Sequence, residues 1–427
     1  MMRLQTSFWL DTDTNMHVQE EVDYPCSLLS SANTASSSCF LLIVYPGRPV
    51  YSSQRCFGVV NMVKDTLDEL DASGALVRKP STFRNRVGPK EAVYTPGEFR
   101  RSSSEFRDRI SSDHPVYKAE AGRYHLYVNY ACPWSQRALI AWATKGLQGV
   151  VGMTTTHPTW QKTRPEDPTD THFGWTFASA DDPPFIPATG HGAIPCDGCE
   201  PDPLHGFKYI RDVYQKAGGE GLTKFTVPIL YDKKTDTVVN NESSEIIEIF
   251  DTAFNEVEGV INPDLDLNPP DLVGARKEID EWSYTEIGNG VYRSGFARSQ
   301  GAYEVAVSSL FEHLDRLEEI LATRRYVAGD RVTLSDVRLF PTLVRFDEVY
   351  NVYFKCNVRR IIDYPNILNY VRDIYQNWPG FRETTNMDHI KRHYYTSHPS
   401  LNMFSIIPKG PNFLSTLKEP HDRDRFS

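Results

Sequence analysis

The run Tyr124-His125-Leu126-Tyr127-Val128-Asn129-Tyr130, followed at once by Ala131-Cys132-Pro133-Trp134-Ser135, constrains the fold more than any other stretch of the chain. Its β-branched and aromatic residues predict a strand entering a core. Pro133 suits the first turn of a helix, where its missing N–H would go unbonded anyway, and Ala138, Leu139, Ile140 and Trp142 continue the helical pattern. The expected unit is strand, turn, cysteine, helix. A helix start favours an anion, so the Cys132 thiol is expected to be depressed below its ordinary value of ~8.5, with Arg137 adding to the effect; a fall of about two units would make most of it thiolate at pH 7. Ser135 stands where a dithiol redox enzyme carries its resolving cysteine. A covalent intermediate on Cys132 must therefore be resolved by an outside thiol.

Further along, Val227-Pro228-Ile229-Leu230-Tyr231, the polar residues 232–236 and Thr237-Val238-Val239 predict a hairpin. Together with the cysteine unit it resembles the thioredoxin fold, in which this proline is cis and the residue before it pairs with an extended peptide beside the cysteine. Asn240-Asn241-Glu242-Ser243-Ser244 then opens a helix carrying Ile246, Ile247, Ile249 and Phe250. Hydroxyl and N–H groups there suit a carboxylate while Glu242 suits an ammonium group, and the γ-glutamyl end of glutathione has both. The same residues also serve for simple N-capping.

The chain's 427 residues leave room for two domains with separate cores. Residues 1–80 show no sustained periodicity, with a Ser/Thr-rich run at 30–38, and are expected to form a poorly ordered extension. The arginine- and serine-rich stretch 83–109 reads as a solvated surface. Residues 150–221 read as loop, with one helix around 206–216. Beyond Asn268-Pro269-Pro270 the pattern turns helical, as in Val305, Leu310, Leu314, Leu317 and Leu321. Thr333 and Asp336 have capping-box spacing, with Val332 placed to staple onto Val337. The fold class expected is α+β: a thioredoxin-like domain with a long insertion over 81–268, then an all-α domain over 269–427.

A net charge of −10 and a pI near 5.7 exclude the basic footprint that nucleic acid needs. The longest purely apolar run, 39–45, falls far short of the roughly 20 residues of a membrane span. Seven scattered cysteines do not form a secreted disulfide framework, and the N-terminus lacks signal or transit features, so the cytoplasm is the expected compartment. Cys196-Asp197-Gly198-Cys199 is a lone C-x-x-C. Zinc needs two further ligands, so despite nearby His191 and His205 this reads as a surface loop, and no metal is expected.

The chain resembles the glutathionyl-hydroquinone reductases, the Xi class of glutathione transferases, from about residue 83 to 411. The resemblance rests on the run 122–134, Gly174-Trp175-Thr176-Phe177, the run 226–250, and Tyr292-Arg293-Ser294-Gly295-Phe296-Ala297 with Gln300 and Tyr303. Arg345-Phe346-Asp347, Phe354-Lys355-Cys356-Asn357, Asp388-His389-Ile390 and His393-Tyr394 also carry it. It implies an all-α glutathione-transferase C-terminal domain, a homodimer, glutathione as co-substrate, and glutathionylated quinols as the other substrate. In that scheme Cys132 is the nucleophile and Trp175 covers the bound glutathione. Val227, with Pro228, pairs with the cysteinyl backbone of glutathione, Glu242 and Ser243 hold its γ-glutamyl end, and Tyr292 and Tyr394 bond the quinol hydroxyls. Lys224 stands where the pattern has an arginine, which leaves one glutathione contact in doubt, since a point charge is the poorer carboxylate clamp. The alternatives are an omega-like thioltransferase or dehydroascorbate reductase, which lacks the tyrosine set, and a non-catalytic binding module of the same fold.

Overall fold

The computed structural model describes residues 97–426 apart from Arg100 and Glu220. Upstream it describes only short strand pairs, such as Ser7–Leu10 with Met16–Gln19, so the expected extension over 1–80 lies largely outside the described residues. By contacts the chain divides into residues 1–82 and 83–427. All that follows concerns the second unit.

Strand β1 (Tyr124–Val128) is central in a four-stranded sheet of order β2 (Gly152–Thr155), β1, β3 (Ile229–Asp232), β4 (Thr237–Asn240). β2 runs parallel to β1, while β3 is antiparallel to both β1 and β4. Every residue of β1 is buried, as a strand covered on both faces requires. Tyr124, Leu126 and Val128 face a core shared with helix α1 (Pro133–Thr144) and α3 (Ser243–Thr252). Tyr127 points to the other face, into a second cluster with Trp160, Trp175, Val227 and Tyr214 of α2 (Ile210–Lys216). Strand alternation thus separates two cores, each apolar side chain in them contributing about 1.5–3 kcal/mol by burial. The order βαβ, α, ββα is the expected thioredoxin-like arrangement, and the Val227–Pro228 bond is cis.

The second domain is all-α: α4 (Val273–Trp282), α5 (Gly290–Gly295), α6 (Gln300–Leu321), α7 (Leu334–Arg345), α8 (Pro365–Asn377), α9 (Pro379–Glu383) and α10 (Met387–Thr396). The stripe on α6 is Val307, Leu310, Leu314, Leu317 and Leu321, with Ala306 and Phe311 beside it. Val305, expected in that stripe, is 65% exposed. Five residues at ~100° each place it well off the face of Leu310. α7 starts on the expected capping box, where Asp336 accepts from the Thr333 N–H at 2.7 Å and its hydroxyl at 2.9 Å. Gly295 ends α5 where a Cβ would collide with the Phe354 ring, so only glycine allows that aromatic to close over Tyr292.

Two π-helical turns, Ser283–Gly288 and Phe346–Tyr350, interrupt this domain beside the inter-domain face. Such turns place an extra residue per turn and often mark functional sites. α1 packs on α3 within its own domain and on α7 and α9 of the helical domain, so the cysteine at its start lies between the two.

The described part of the charged stretch 83–109 is largely exposed, as its charge predicts, and it also has a structural role. Its backbone pairs along the outer edge of β4 through Asp108 N to Val239 O at 3.0 Å and Asn241 N to Phe106 O at 3.0 Å. Arg107 and Arg109 pair with Glu245 and Glu248 of α3 at 2.5 and 3.2 Å. The arginines follow the acidic face of a helix more than a hundred residues away, and the segment covers a sheet edge.

Candidate functional site

Cys132 is the N-cap residue of α1, with φ −75° and ψ 120°, followed by Pro133 in the first turn as its chemistry favours. Its side chain is 7% exposed, and its thiol donates to the Val227 carbonyl, with Sγ 3.4 Å from the oxygen. The cis Val227–Pro228 bond brings that carbonyl beside the sulfur. Burial pushes the thiol above its ordinary value, against the opposing pull of the Ser135 N–H and hydroxyl, the Trp134 N–H and the Arg345 charge. This reverses the expectation of a depressed thiol: the helix start favours the anion, but removal from water outweighs it. Arg137 does not contribute as expected. Its guanidinium lies 4.3 Å from the Trp134 ring centre and its Nε donates to the Arg338 carbonyl at 3.0 Å.

Near the cysteine the helical domain supplies a phenol cluster. Tyr292 of α5 and Tyr394 of α10 place their hydroxyls 2.5 Å apart, and Tyr350, at the end of a π-turn, places its own 3.0 Å from that of Tyr394. Burial pushes all three above the usual phenol range, so each is a protonated donor at neutral pH. Tyr292 and Tyr350 both feel the charge of Cys132, so these two phenols lie near the thiol. Tyr350 was not legible from sequence, because only the π-turn aims it at Tyr394. Arg101 was missed as well. Its guanidinium lies 4.4 Å from the Tyr292 ring centre and 4.8 Å from that of Trp134, while its Nε donates to Asn289 at 2.8 Å.

Trp175 shares one apolar cluster with Cys132 and Val227 and stacks on His393 at 4.6 Å. Burial pushes the His393 imidazole well below its ordinary range, so it is neutral, with Nδ1 2.8 Å from the Pro158 carbonyl. Glu242 is the N-cap of α3, accepting from the Ser244 N–H at 3.2 Å and the Ser244 hydroxyl at 2.7 Å. Its other oxygen accepts from Ser104 at 2.9 Å, a partner the sequence did not reveal. Ser243 is buried in the first turn beside it, and Lys224 is half-buried just ahead of the cis bond. Cys132, Trp175 and Val227 thus share one apolar cluster, and it meets the tyrosines through the ring of His393, which contacts both Trp175 and Tyr394, and through the interaction of Tyr292 with Cys132. Glu242 and Ser243 stand at the start of α3.

Cys196 and Cys199 are 1% and 4% exposed, in a turn closed by Cys199 N to Cys196 O at 3.0 Å. This turn docks on α10 through His389 to the Asp197 carbonyl at 2.9 Å and Arg392 to the Asp197 carboxylate at 2.8 Å. Apolar packing with Ala178 and Phe185 buries the sulfurs, while Asp197, Gly198 and Glu200 stay exposed, so the segment is a surface loop whose cysteines turn inward. Among the described residues no group of three or more His, Cys, Asp or Glu side chains is arranged to hold a metal. No helix among them is long and apolar enough to cross a membrane.

Residues 131–253 match the family model of the glutathione S-transferase N-terminal domain, and residues 300–373 that of the C-terminal domain. The chain is 41% identical over 337 residues to glutathionyl-hydroquinone reductase YqjG of Escherichia coli, covering 77% of this chain and 93% of that protein. Among solved structures it is similar to glutathione S-transferase Xi of Phanerochaete chrysosporium, with TM-score 0.69, 41% identity, and 79% and 99% of the two chains covered. The glutathione-bound structure of YqjG from Escherichia coli matches with TM-score 0.66 and 40% identity, covering 75% of this chain and 96% of that one. The chain belongs to the Xi class of glutathione transferases, the enzyme family of the glutathionyl-hydroquinone reductases.

Proposed function

We propose that this enzyme removes glutathione from glutathionylated hydroquinones. The observation that carries the reading is the buried pair of Tyr292 and Tyr394 hydroxyls, with Tyr292 near enough to Cys132 to feel its charge: two phenols able to bond the hydroxyls of a quinol. The relative named as a glutathionyl-hydroquinone reductase and the glutathione-bound neighbour support it. Glutathione is the co-substrate, with its γ-glutamyl end at Glu242 and Ser243, its cysteinyl backbone along Val227 and Pro228, and Trp175 over it. Lys224 is offered to one of its carboxylates. When a peptide N–H takes the Val227 carbonyl, the Cys132 thiol loses its acceptor and ionises more readily.

The Cys132 thiolate attacks the glutathione sulfur. The carbon–sulfur bond breaks with its electron pair going to the ring, while Tyr292 or Tyr394 donates to the ring oxygens and the ring carbon gains a proton. The products are the free hydroquinone and a Cys132–glutathione disulfide. A second glutathione thiolate attacks that disulfide, giving oxidised glutathione and restoring Cys132. No metal takes part. The enzyme works as a cytoplasmic homodimer, checked by light scattering during gel filtration. Mass spectrometry after a single turnover tests the mechanism: one glutathione on Cys132 is expected, and turnover without such an adduct would sink it.

A further inference from the structure

Arg345, the last residue of α7, is 0% exposed. Its Nε donates to the Ala131 carbonyl at 3.1 Å and one terminal nitrogen to the Tyr130 carbonyl at 2.9 Å. The other terminal nitrogen donates to the Pro341 carbonyl at 2.8 Å and to Gln136 Oε1. All four acceptors are neutral. The two carboxylates that follow it in sequence are engaged elsewhere. Asp347 accepts from the Ile361 and Ile362 N–H groups, and Glu348 pairs with Lys391 at 3.1 Å and accepts from Phe413 N. Among the described residues no carboxylate lies within ion-pair distance of Arg345.

A guanidinium wholly removed from water without an anion is costly. Two of its contacts hold the backbone immediately before Cys132. Its charge acts on Cys132, Tyr350, Tyr394 and His393, and Tyr292 stands among these groups; the tyrosines and the histidine are neutral near pH 7. Cys132 is therefore the group among these whose ionisation would give Arg345 a counter-charge.

We propose that Arg345 is a positioning residue that both tethers the 130–131 backbone across the domain interface and supplies the stored positive charge against which the Cys132 thiolate forms. This rests on Cys132 as the nucleophile, and it assigns the helical domain a part in activating a thiol carried by the other domain. A simpler role, satisfying carbonyls at a helix end, would explain the hydrogen bonds but not the missing carboxylate.

Gln136→Glu separates the two roles, because it keeps the acceptor on the guanidinium while neutralising the charge in place. The full-length protein is alkylated with iodoacetamide across pH, and the modification is read on Cys132 by mass spectrometry. Gln136→Glu is expected to raise the apparent pKa of Cys132 by about one unit and to slow its alkylation at pH 7 about tenfold, with the melting temperature lowered by no more than the loss of the Gln136 Nε2 hydrogen bond to Thr385 accounts for. Arg345→Met should raise the pKa similarly, and Arg345→Lys, which keeps the charge while losing hydrogen bonds, should retain the wild-type profile at reduced stability. If Arg345→Met does not fold, the other two variants still decide. An unchanged profile in Gln136→Glu, or a profile in Arg345→Lys shifted as far as in Arg345→Met, would overturn the proposal. Alkylation needs no quinol, so failure of the underlying reading appears separately: activity retained in Cys132→Ser removes Cys132 as the nucleophile, and absence of turnover of a glutathionyl-hydroquinone by the wild type removes the substrate.

Discussion

Tyr292 and Tyr394 are 102 positions apart in the chain, yet their hydroxyls are hydrogen-bonded at 2.5 Å within the larger apolar core. Each ring is packed on several sides, Tyr292 by Phe99, Phe296 and Phe354 and Tyr394 by Phe354 and Tyr350. The hydroxyls are thus held in place before any substrate arrives, as transition-state donors need to be.

Replacing either tyrosine with Phe keeps the ring and removes one donor. A hydrogen bond to developing charge is worth about 1.5–3 kcal/mol, so turnover of a glutathionyl-hydroquinone should fall roughly ten- to a hundredfold. Reduction of a small glutathione mixed disulfide needs no such donor and should change less than about threefold. Equal losses on both substrates, measured by steady-state kinetics, would assign the tyrosines a structural role. Tyr350→Phe should fall between these cases, since its hydroxyl reaches the pair through Tyr394.

Cys132→Ser should abolish deglutathionylation while leaving the melting temperature within a few degrees of wild type. A serine hydroxyl fits the same small space but is a far weaker nucleophile. Retention of full activity would exclude the covalent route.

In the free enzyme, burial holds the Cys132 thiol above its ordinary value. The thiolate fraction, and with it the rate of alkylation, should therefore keep rising through pH 8.5, the approximate midpoint of a free thiol. An inflection well below that value would mean that the helix start and Arg345 outweigh burial after all.

Stability should fall in acid through the pair Arg123–Asp232, buried at the end of the central strands, with contacts of 2.5 and 2.8 Å. Burial pushes the Asp232 carboxyl up, but bonds from Arg123, Thr235 and the Lys234 N–H outweigh it and hold the carboxyl below its usual range. A depressed carboxyl stabilises the fold above its unfolded value near ~4, and that contribution is lost as pH falls through the folded value. Asp232→Asn should cost about 1.5–3 kcal/mol at pH 7 by removing the buried carboxylate and leaving Arg123 only the half-exposed Glu120 as counter-charge, and the difference from wild type should shrink in acid. Urea unfolding at several pH values measures both.

Cys196→Ser with Cys199→Ser should leave turnover unchanged, because the turn meets α10 through Asp197 and not through its sulfurs. Two hydroxyls placed in an apolar cluster should nevertheless cost about 1–3 kcal/mol each. Unaltered stability would contradict their burial, and stoichiometric zinc in the purified protein would restore a metal site.

The residues themselves determined whatever depends on near neighbours in the chain. The alternation of Tyr124 to Val128, the proline after Cys132, the Val227-Pro228 pair and the Thr333–Asp336 box each act over a few residues, and each element stands where they predict it. The candidate site was legible in part for the same reason, since Cys132 and Glu242 are helix starts. Tertiary structure decided the rest, because burial and charge are sums over groups distant in sequence. A helix start alone favours a Cys132 thiolate; the cover supplied by both domains reverses that in the free enzyme. The arginines of 101–109 look like a plain charged run until the fold gives them partners: Arg107 and Arg109 stay half-exposed but pair with α3, and Arg101 lies over the Tyr292 ring. Tyr350 reaches Tyr394 only because a π-turn rotates it inward, and Arg345 faces a thiol more than two hundred residues upstream because α7 packs on α1.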